Sequence, residues 1–185
     1  MSTLLCQATL SQLLIIDIQA KLVGAMPDQP AEQVIRNNQI LIQAAKTLGI
    51  PISYTEQYPQ GLGATHSELS DLLDTASRYE KTCFSSCGAA GIDQQLHDIS
   101  RPQVIITGIE THICVLQTAL QLLNQGSHVI IAQDGVCSRR KANFKNAIAR
   151  MRQAGAIIAN TESILFEWLG DASHPEFRTL SKLIR

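Results

Sequence analysis

The chain has 185 residues, of which 45% are hydrophobic and 17% are charged, and its net charge is −1. These values exclude an intrinsically disordered chain and predict one compact domain over residues 1–185. Binding to nucleic acid needs clustered Lys and Arg, and the sequence has only one short basic cluster, at 139–141. We interpret that cluster as a solvated helix end and expect no nucleic-acid partner.

The N-terminal residues and the cysteines predict a cytoplasmic protein. The start of the chain lacks the charged segment of a secretory signal, and the longest apolar runs, near 13–16 and 129–132, are too short to cross a bilayer. Five cysteines without paired spacing are typical of a reducing compartment. We therefore expect no membrane partner.

Strand-like and helix-like segments alternate along the chain. Apolar runs predict strands at 13–17, 50–55, 78–82, 103–107, 127–132 and 156–159. Spacings of three and four predict helices at 30–48, 66–73, 91–99, 111–125, 140–154, 161–169 and 175–184. Apolar strands that are joined through helices indicate a parallel sheet covered on both faces. The predicted fold is a single-domain, Rossmann-like three-layer α/β/α structure with six parallel strands in the order 3-2-1-4-5-6.

Two polar residues follow strands that are neighbours in this order. Asp17 ends the first strand, and Cys114 lies in the first turn of the helix after the fourth strand. Adjacent strands lie about 4.8 Å apart, and ligands of such sheets bind beyond the carboxyl ends where the strand order reverses. We therefore expect Asp17 and Cys114 to meet at this crevice.

Cys114 is the candidate nucleophile. A cysteine in the first turn of a helix faces unpaired N–H groups and the positive end of the helix dipole, which favour the thiolate. The same N–H groups can hold an oxyanion, as acyl-transfer chemistry requires. From this position we expect a thiol pKa below the free value of about 8.5. The alternative interpretation is a small buried apolar residue.

Asp17 and Lys81 are candidates to assist the thiol. Asp17 would act as the general base, or alternatively it only caps a loop at its strand end. Lys81 has less polar neighbours than an ordinary surface lysine, although a surface position remains the alternative. An ammonium near the thiol would favour the thiolate and hold Asp17 in place.

The sequence predicts neither a metal nor a cofactor. Cys83 and Cys87 lack a second pair that would complete a zinc site, and His112 lies two positions from Cys114 on the predicted helix and points elsewhere. The chain has no dinucleotide-binding glycine motif and no P-loop. The remaining histidines, which show no ligand spacing, are His66, His97, His128 and His174.

The order of Asp17, Lys81 and Cys114 on strand ends resembles the catalytic triad of the isochorismatase-like cysteine hydrolase superfamily. The resemblance covers nearly the whole chain and is carried by 15–19, 80–85 and 108–115, the last with the pattern Gly, two residues, Thr, two residues, Cys. Segment 55–63 and the pair His174-Pro175 resemble the branch of isochorismatase-domain-containing proteins.

This resemblance implies a hydrolase of small amides or related carbonyl compounds that works through a covalent thioester. Cys114 would attack the carbonyl carbon, Asp17 would move the proton, and Lys81 would hold both groups. It also implies a cis peptide bond before Thr111, between Glu110 and Thr111. Relatives that are nicotinamidases carry an Asp-x-His metal motif, which is missing at 56–59, so we expect no metal-dependent nicotinamidase.

The substrate pocket and the assembly are also expectations. We expect Glu110 to disfavour anionic substrates. We also expect the protein to form a homo-oligomer, a dimer or larger, because relatives commonly pair and because the apolar segment 164–169 needs a surface to cover it. The alternatives are a catalytically silent binding or scaffold protein and, with less support, a ribonuclease-like activity. The residues expected to line a pocket for a small-molecule substrate are Gln19, Gln57, Tyr58, Phe84, Glu110 and Thr111.

Overall fold

A computed structural model describes residues 4–184, and its centre is one six-stranded sheet. The strand order is β3-β2-β1-β4-β5-β6, and every neighbouring pair is parallel. This confirms the fold predicted from the sequence. The strands are β1 (Ser11–Ile16), β2 (Ile52–Gln57), β3 (Ser77–Lys81), β4 (Gln103–Ile109), β5 (His128–Cys137) and β6 (Ile157–Ala159).

Helices cover both faces of the sheet. Buried side chains of α2 and α8 belong to one apolar cluster, and those of α5, α6 and α7 belong to the other. The helices are α1 (Ala20–Val23), α2 (Asp28–Thr47), α3 (Pro59–Leu62), α4 (Ser67–Ser70), α5 (Ile92–Asp98), α6 (Leu116–Asn124), α7 (Lys141–Gln153), α8 (Thr161–Leu169) and α9 (Phe177–Leu180). Short 3₁₀ turns lie at Ser86–Gly88 and Ser181–Ile184, and a π-helical turn lies at Thr111–Val115.

The continuous apolar run of β1 is explained by its two covered faces. Every residue of this strand is buried. Because successive side chains point to opposite faces, Leu13 and Ile15 pack into one cluster and Leu14 and Ile16 into the other. The central strand thereby joins the two cores.

Two elements differ from the prediction in a way that concerns the site. Strand β5 runs on to Cys137, because its register against β4 shifts between Ile106 and Gly108 and brings Cys137 opposite Ile109. The helix predicted at 111–125 is divided into the π-helical turn and α6. Both changes lie at the carboxyl end of the sheet.

The apolar segment near the C-terminus is covered within the chain. Ile164, Leu165, Trp168 and Leu169 are buried, and the Trp168 indole donates a 3.0 Å hydrogen bond to the Ser11 hydroxyl. This segment therefore needs no partner surface to cover these four residues, contrary to the expectation, and the homo-oligomer stays a prediction. Within residues 4–184, no helix combines the length and apolarity needed to cross a bilayer.

Candidate active site

A close contact between β1 and β4 fixes where the candidate residues leave the sheet. Ile16 pairs with Gly108, and a Cβ on Gly108 would lie 2.1 Å from the Ile16 carbonyl oxygen. Gly108 also has a φ of +129°, which side chains rarely allow. The next residue of β1 is Asp17, with a φ of +53°. Glycine is therefore required at position 108, where β4 approaches β1 just before Asp17 and Glu110 leave the sheet.

Asp17 and Lys81 form an ion pair inside the protein. The Lys81 Nζ lies 2.6 Å from Asp17 Oδ2, and neither side chain is exposed to solvent. The Thr55 hydroxyl donates a 2.7 Å hydrogen bond to the other carboxylate oxygen. Both oxygens of Asp17 are thus held, which fixes the direction of the carboxylate.

The Lys81 ammonium is held by three further acceptors. It donates to Gln57 Oε1 at 2.6 Å and to the carbonyl oxygens of Cys83 and Phe84 at 3.3 and 3.1 Å. A buried charge is tolerated only when it is paired and its remaining donors find acceptors. The loop after β3 supplies these acceptors and so holds the ammonium in place.

Cys114 lies in the π-helical turn after β4 and is 6% exposed. Its carbonyl oxygen accepts a 2.7 Å hydrogen bond from the Thr118 hydroxyl. The cis peptide bond joins Ile109 and Glu110, so the expectation of a cis bond between Glu110 and Thr111 is wrong by one residue.

The pKa of the Cys114 thiol lies well above neutral pH. Burial, followed by the nearby Asp17 carboxylate, raises this pKa to about 12, although Lys81 lowers it in part. The expectation of a lowered pKa is therefore wrong. Removal of the thiol from water is the largest effect here, and a position in the first turn of a helix does not offset it. Forming the thiolate at neutral pH therefore requires a base that accepts this proton.

Thr111 and Glu110, at the start of the same turn, have different surroundings. Thr111 is buried, and its hydroxyl has no hydrogen-bond partner within residues 4–184. The Glu110 carboxylate accepts hydrogen bonds from the backbone N–H and Nε of Arg139. The charge of Glu110 is thus paired with that of Arg139, which removes the reason for expecting it to disfavour anionic substrates.

Gln19 and Gln57 use their amide groups within the protein. The Gln19 amide nitrogen donates to the carbonyl oxygens of Gln57 and Gly63 at 3.0 and 2.5 Å, and its oxygen accepts the Gln57 N–H at 2.7 Å. The Gln57 amide accepts from Lys81 and donates to the Thr82 carbonyl at 2.7 Å. Both side chains join loops to one another around the ion pair.

Tyr58 and Phe84 are the exposed aromatic residues of the expected pocket. Their exposed fractions are 53% and 55%, unusually high for large apolar side chains. Tyr58 lines a cavity of about 390 Å³ beside the end of β3, together with Lys81 and Cys83. Tyr58 gives this cavity an exposed aromatic side chain, whereas Phe84 contributes its carbonyl oxygen to the Lys81 ammonium. No group of three or more metal-ligating side chains occurs in the part of the chain that the structure describes.

Sequence reasoning missed two residues of this site. Thr55, which bonds Asp17, is paired with Ile16 in the sheet, and a polar residue at the end of the second apolar strand was the available signal. Arg139 belongs to the basic cluster interpreted as a solvated helix end, and no sequence signal connected it to Glu110.

Comparison with known proteins identifies the family. The Isochorismatase domain model matches residues 11–163. Isochorismatase domain-containing protein 2 of Bos taurus is 39% identical over 156 residues, which are 83% of this chain and 74% of the bovine protein. A solved structure titled MAR1 ribonuclease, from Caenorhabditis elegans, is 36% identical with a TM-score of 0.89, covering 96% of this chain and 91% of that one.

A more distant structure shows the same fold. The Escherichia coli YcaC gene product, described as an octameric hydrolase of unknown specificity, is 21% identical with a TM-score of 0.88, covering 98% of this chain and 97% of its own. The chain belongs to the isochorismatase family and has the fold of that family's hydrolases. Within the family it falls in the branch of isochorismatase-domain-containing proteins.

Proposed function

We propose that this protein is a cysteine hydrolase of small amides or related C–N and carbonyl compounds, with Cys114, Asp17 and Lys81 as its catalytic triad. The observation that carries the proposal is the fully buried Asp17–Lys81 pair, which acts on the pKa of a buried thiol. Buried ion pairs contribute little to stability, because desolvation offsets their attraction. A chemical role is the stronger reason for keeping both charges beside a thiol.

The first half-reaction forms a thioester. Asp17 takes the Cys114 proton as the sulfur attacks the carbonyl carbon, and backbone N–H groups of the π-helical turn hold the oxyanion. The C–N bond then breaks, and the leaving amine receives the proton from Asp17. The raised pKa of Cys114 supports this order of events, since the resting thiol needs a base.

The second half-reaction releases the acid. Asp17 removes a proton from water, the water oxygen attacks the thioester carbon, and the C–S bond breaks to give the carboxylic acid. The proton returns to the sulfur, so the thiol and the carboxylate are regenerated. Lys81 offsets the charge of Asp17 and fixes its direction through both steps.

A panel of small amides and carbamoyl compounds tests the proposal. We expect turnover by the wild type, an acyl adduct on Cys114 by intact-mass and peptide analysis, and a loss of at least about a thousandfold in kcat/KM for Cys114→Ala. Cys137→Ala is the matched control, because its thiol is also buried with a pKa raised to about 12. Undiminished turnover in Cys114→Ala would contradict the mechanism, and no turnover with any compound would favour the scaffold alternative.

A ribonuclease-like activity is the second candidate, and the name of the Caenorhabditis elegans neighbour supports it. The net charge of −1 and the absence of a basic stripe in the sequence count against it, because phosphate binding needs clustered cations. RNA cleavage that disappears in Cys114→Ala and weakens with added salt would favour this candidate over the amidase.

A further inference from the structure

Arg139 and Glu110 form an ion pair in which only the cation is exposed. The Glu110 side chain is 7% exposed and the Arg139 side chain 59%. The carboxylate accepts the Arg139 backbone N–H at 3.1 Å and its Nε at 3.1 and 3.2 Å. The guanidinium therefore lies between a buried carboxylate and the solvent.

The outer edge of this guanidinium is available to a ligand. The Arg139 side chain is bound to Glu110 through Nε alone. Its Nη1 and Nη2 make no hydrogen bond to any residue between 4 and 184. The two Nη groups form a planar set of donors that matches a carboxylate. Because the Arg139 backbone is bound to Glu110 as well, the side chain is anchored at two points, unlike an ordinary surface arginine.

The anchored guanidinium lies on the same edge of the sheet as the thiol. Glu110 directly follows β4 and begins the turn that carries Cys114, and Ile109 is paired with Cys137 at the end of β5. His112, in that turn, bonds the Ser138 hydroxyl at 3.0 Å, which ties the segment before Arg139 to the nucleophile's turn. Two connections thus join the segment that leads to Arg139 to the turn that carries Cys114.

We infer that Arg139 is a specificity-determining residue that binds a carboxylate on the substrate, so that the substrates are small amides carrying an acidic group. The inference rests on the proposed function and narrows it to a substrate class. Of the two charges of this ion pair, the positive one faces solvent and the negative one is buried. The positive charge therefore favours anionic ligands over neutral ones of the same size.

Two alkylating reagents test this charge preference without any substrate. Iodoacetate and iodoacetamide present the same reacting carbon and differ in charge, and their rates at Cys114 are followed by peptide mass spectrometry under mildly alkaline conditions. We expect Arg139→Gln to lower the iodoacetate rate relative to the iodoacetamide rate by roughly three- to tenfold, from the Coulomb energy of one charge at short range. The iodoacetamide rate in each variant is the internal standard for access to the thiol.

Two further variants separate the inference from general charge effects. Arg140→Gln removes a neighbouring exposed cation that has no contact with Glu110. In this variant we expect the labelling ratio, which is the iodoacetate rate divided by the iodoacetamide rate, to stay near the wild-type value. Glu110→Gln with Arg139→Gln removes both charges, and we expect it to keep the lowered ratio. The inference is overturned by an unchanged ratio in Arg139→Gln, an equal fall in Arg140→Gln, or a wild-type ratio in the double variant.

The labelling result is independent of turnover. Iodoacetate reacts with the thiol whether or not Cys114 hydrolyses an amide, so failure of the proposed function leaves the ratio measurable. A lowered ratio without turnover of any amide would retain the carboxylate site and reject only the hydrolase. Turnover with an unchanged ratio would retain the hydrolase and reject the carboxylate site.

Discussion

Lys81 is a buried cation whose charge is compensated by neighbouring groups of the protein. Its ammonium has four acceptors and no exposure to solvent, and Asp17 depends on it for compensation of a buried negative charge. Removing one partner of such a pair leaves an uncompensated charge in the interior, which costs more than the pair itself contributes.

Lys81→Met should therefore destabilise the fold. We expect a loss of about 3–5 kcal/mol in the free energy of unfolding, measured by urea denaturation, because Asp17 is left buried and unpaired. Lys81→Met combined with Asp17→Asn is the control, since it removes the second charge and should recover part of the loss. A single variant within about 1 kcal/mol of the wild type would show that water or another cation compensates Asp17.

The identities of the candidate residues were predictable from the sequence, but their electrostatics were not. Asp17 and Cys114 follow apolar runs that had to be neighbouring strands, and the motif around Lys81 resembled a known family. The pKa of Cys114 depends on how far the turn is buried, which no local pattern reports. Gln19 was expected to bind substrate, but two loops that lie far apart in the sequence use its amide.

The contact between β1 and β4 is the feature at the scale of elements on which the site depends. Gly108 allows the two strands to meet at Ile16, one residue before Asp17 and two residues before Glu110, where the turn that carries Cys114 begins. An added methyl group would push the strands apart at the point where Asp17 and this turn leave the sheet.

Two glycine substitutions separate backbone strain from this close contact. Gly126→Ala, at a φ of +88° with no atom within 4 Å of the added Cβ, should cost about 1–2 kcal/mol from conformation alone. Gly108→Ala adds the collision with Ile16, and we expect more than about 4 kcal/mol by urea denaturation, or failure to accumulate folded protein. Equal costs at the two positions would mean that β1 and β4 separate without penalty.

The strand order was predictable at this scale because continuous apolar strands joined by helices leave few topologies. The length of β5 was not predictable from the sequence. Its second half contains the polar residues Gln133 and Asp134, and it pairs with β4 only after a shift in register. The π-helical turn was also missed, because its sequence has the periodicity of an ordinary helix start.

Buried thiols are spread through the whole molecule. Burial raises the pKa of Cys87 to about 11 and those of Cys114 and Cys137 to about 12, and it also raises the pKa of Cys6. In the unfolded chain these thiols ionise near the free value of about pH 8.5. Since the folded pKa values lie higher, the stability that the buried thiols contribute is fully present below about pH 8.5 and is lost as the pH rises toward the folded pKa values.

Stability should consequently fall in mildly alkaline solution. Between pH 8 and pH 10 we expect each buried thiol to lower the free energy of unfolding by on the order of 1 kcal/mol, measured as a shift of the urea midpoint. Cys137→Ala should reduce this slope, and Cys83→Ala, which removes an exposed thiol, should not. A slope that Cys137→Ala leaves unchanged would assign the alkaline loss to other groups.

The candidate site is divided between the two halves of the doubly wound sheet. Strands β1, β2 and β3 supply the ion pair and its partners, whereas the thiol follows β4 on the other side of the switch point. During synthesis the acid and the ammonium leave the ribosome before the cysteine does. A chain that has emerged only as far as β3 therefore contains the residues of the ion pair without the thiol, and the three candidate residues come together only when β4 pairs with β1.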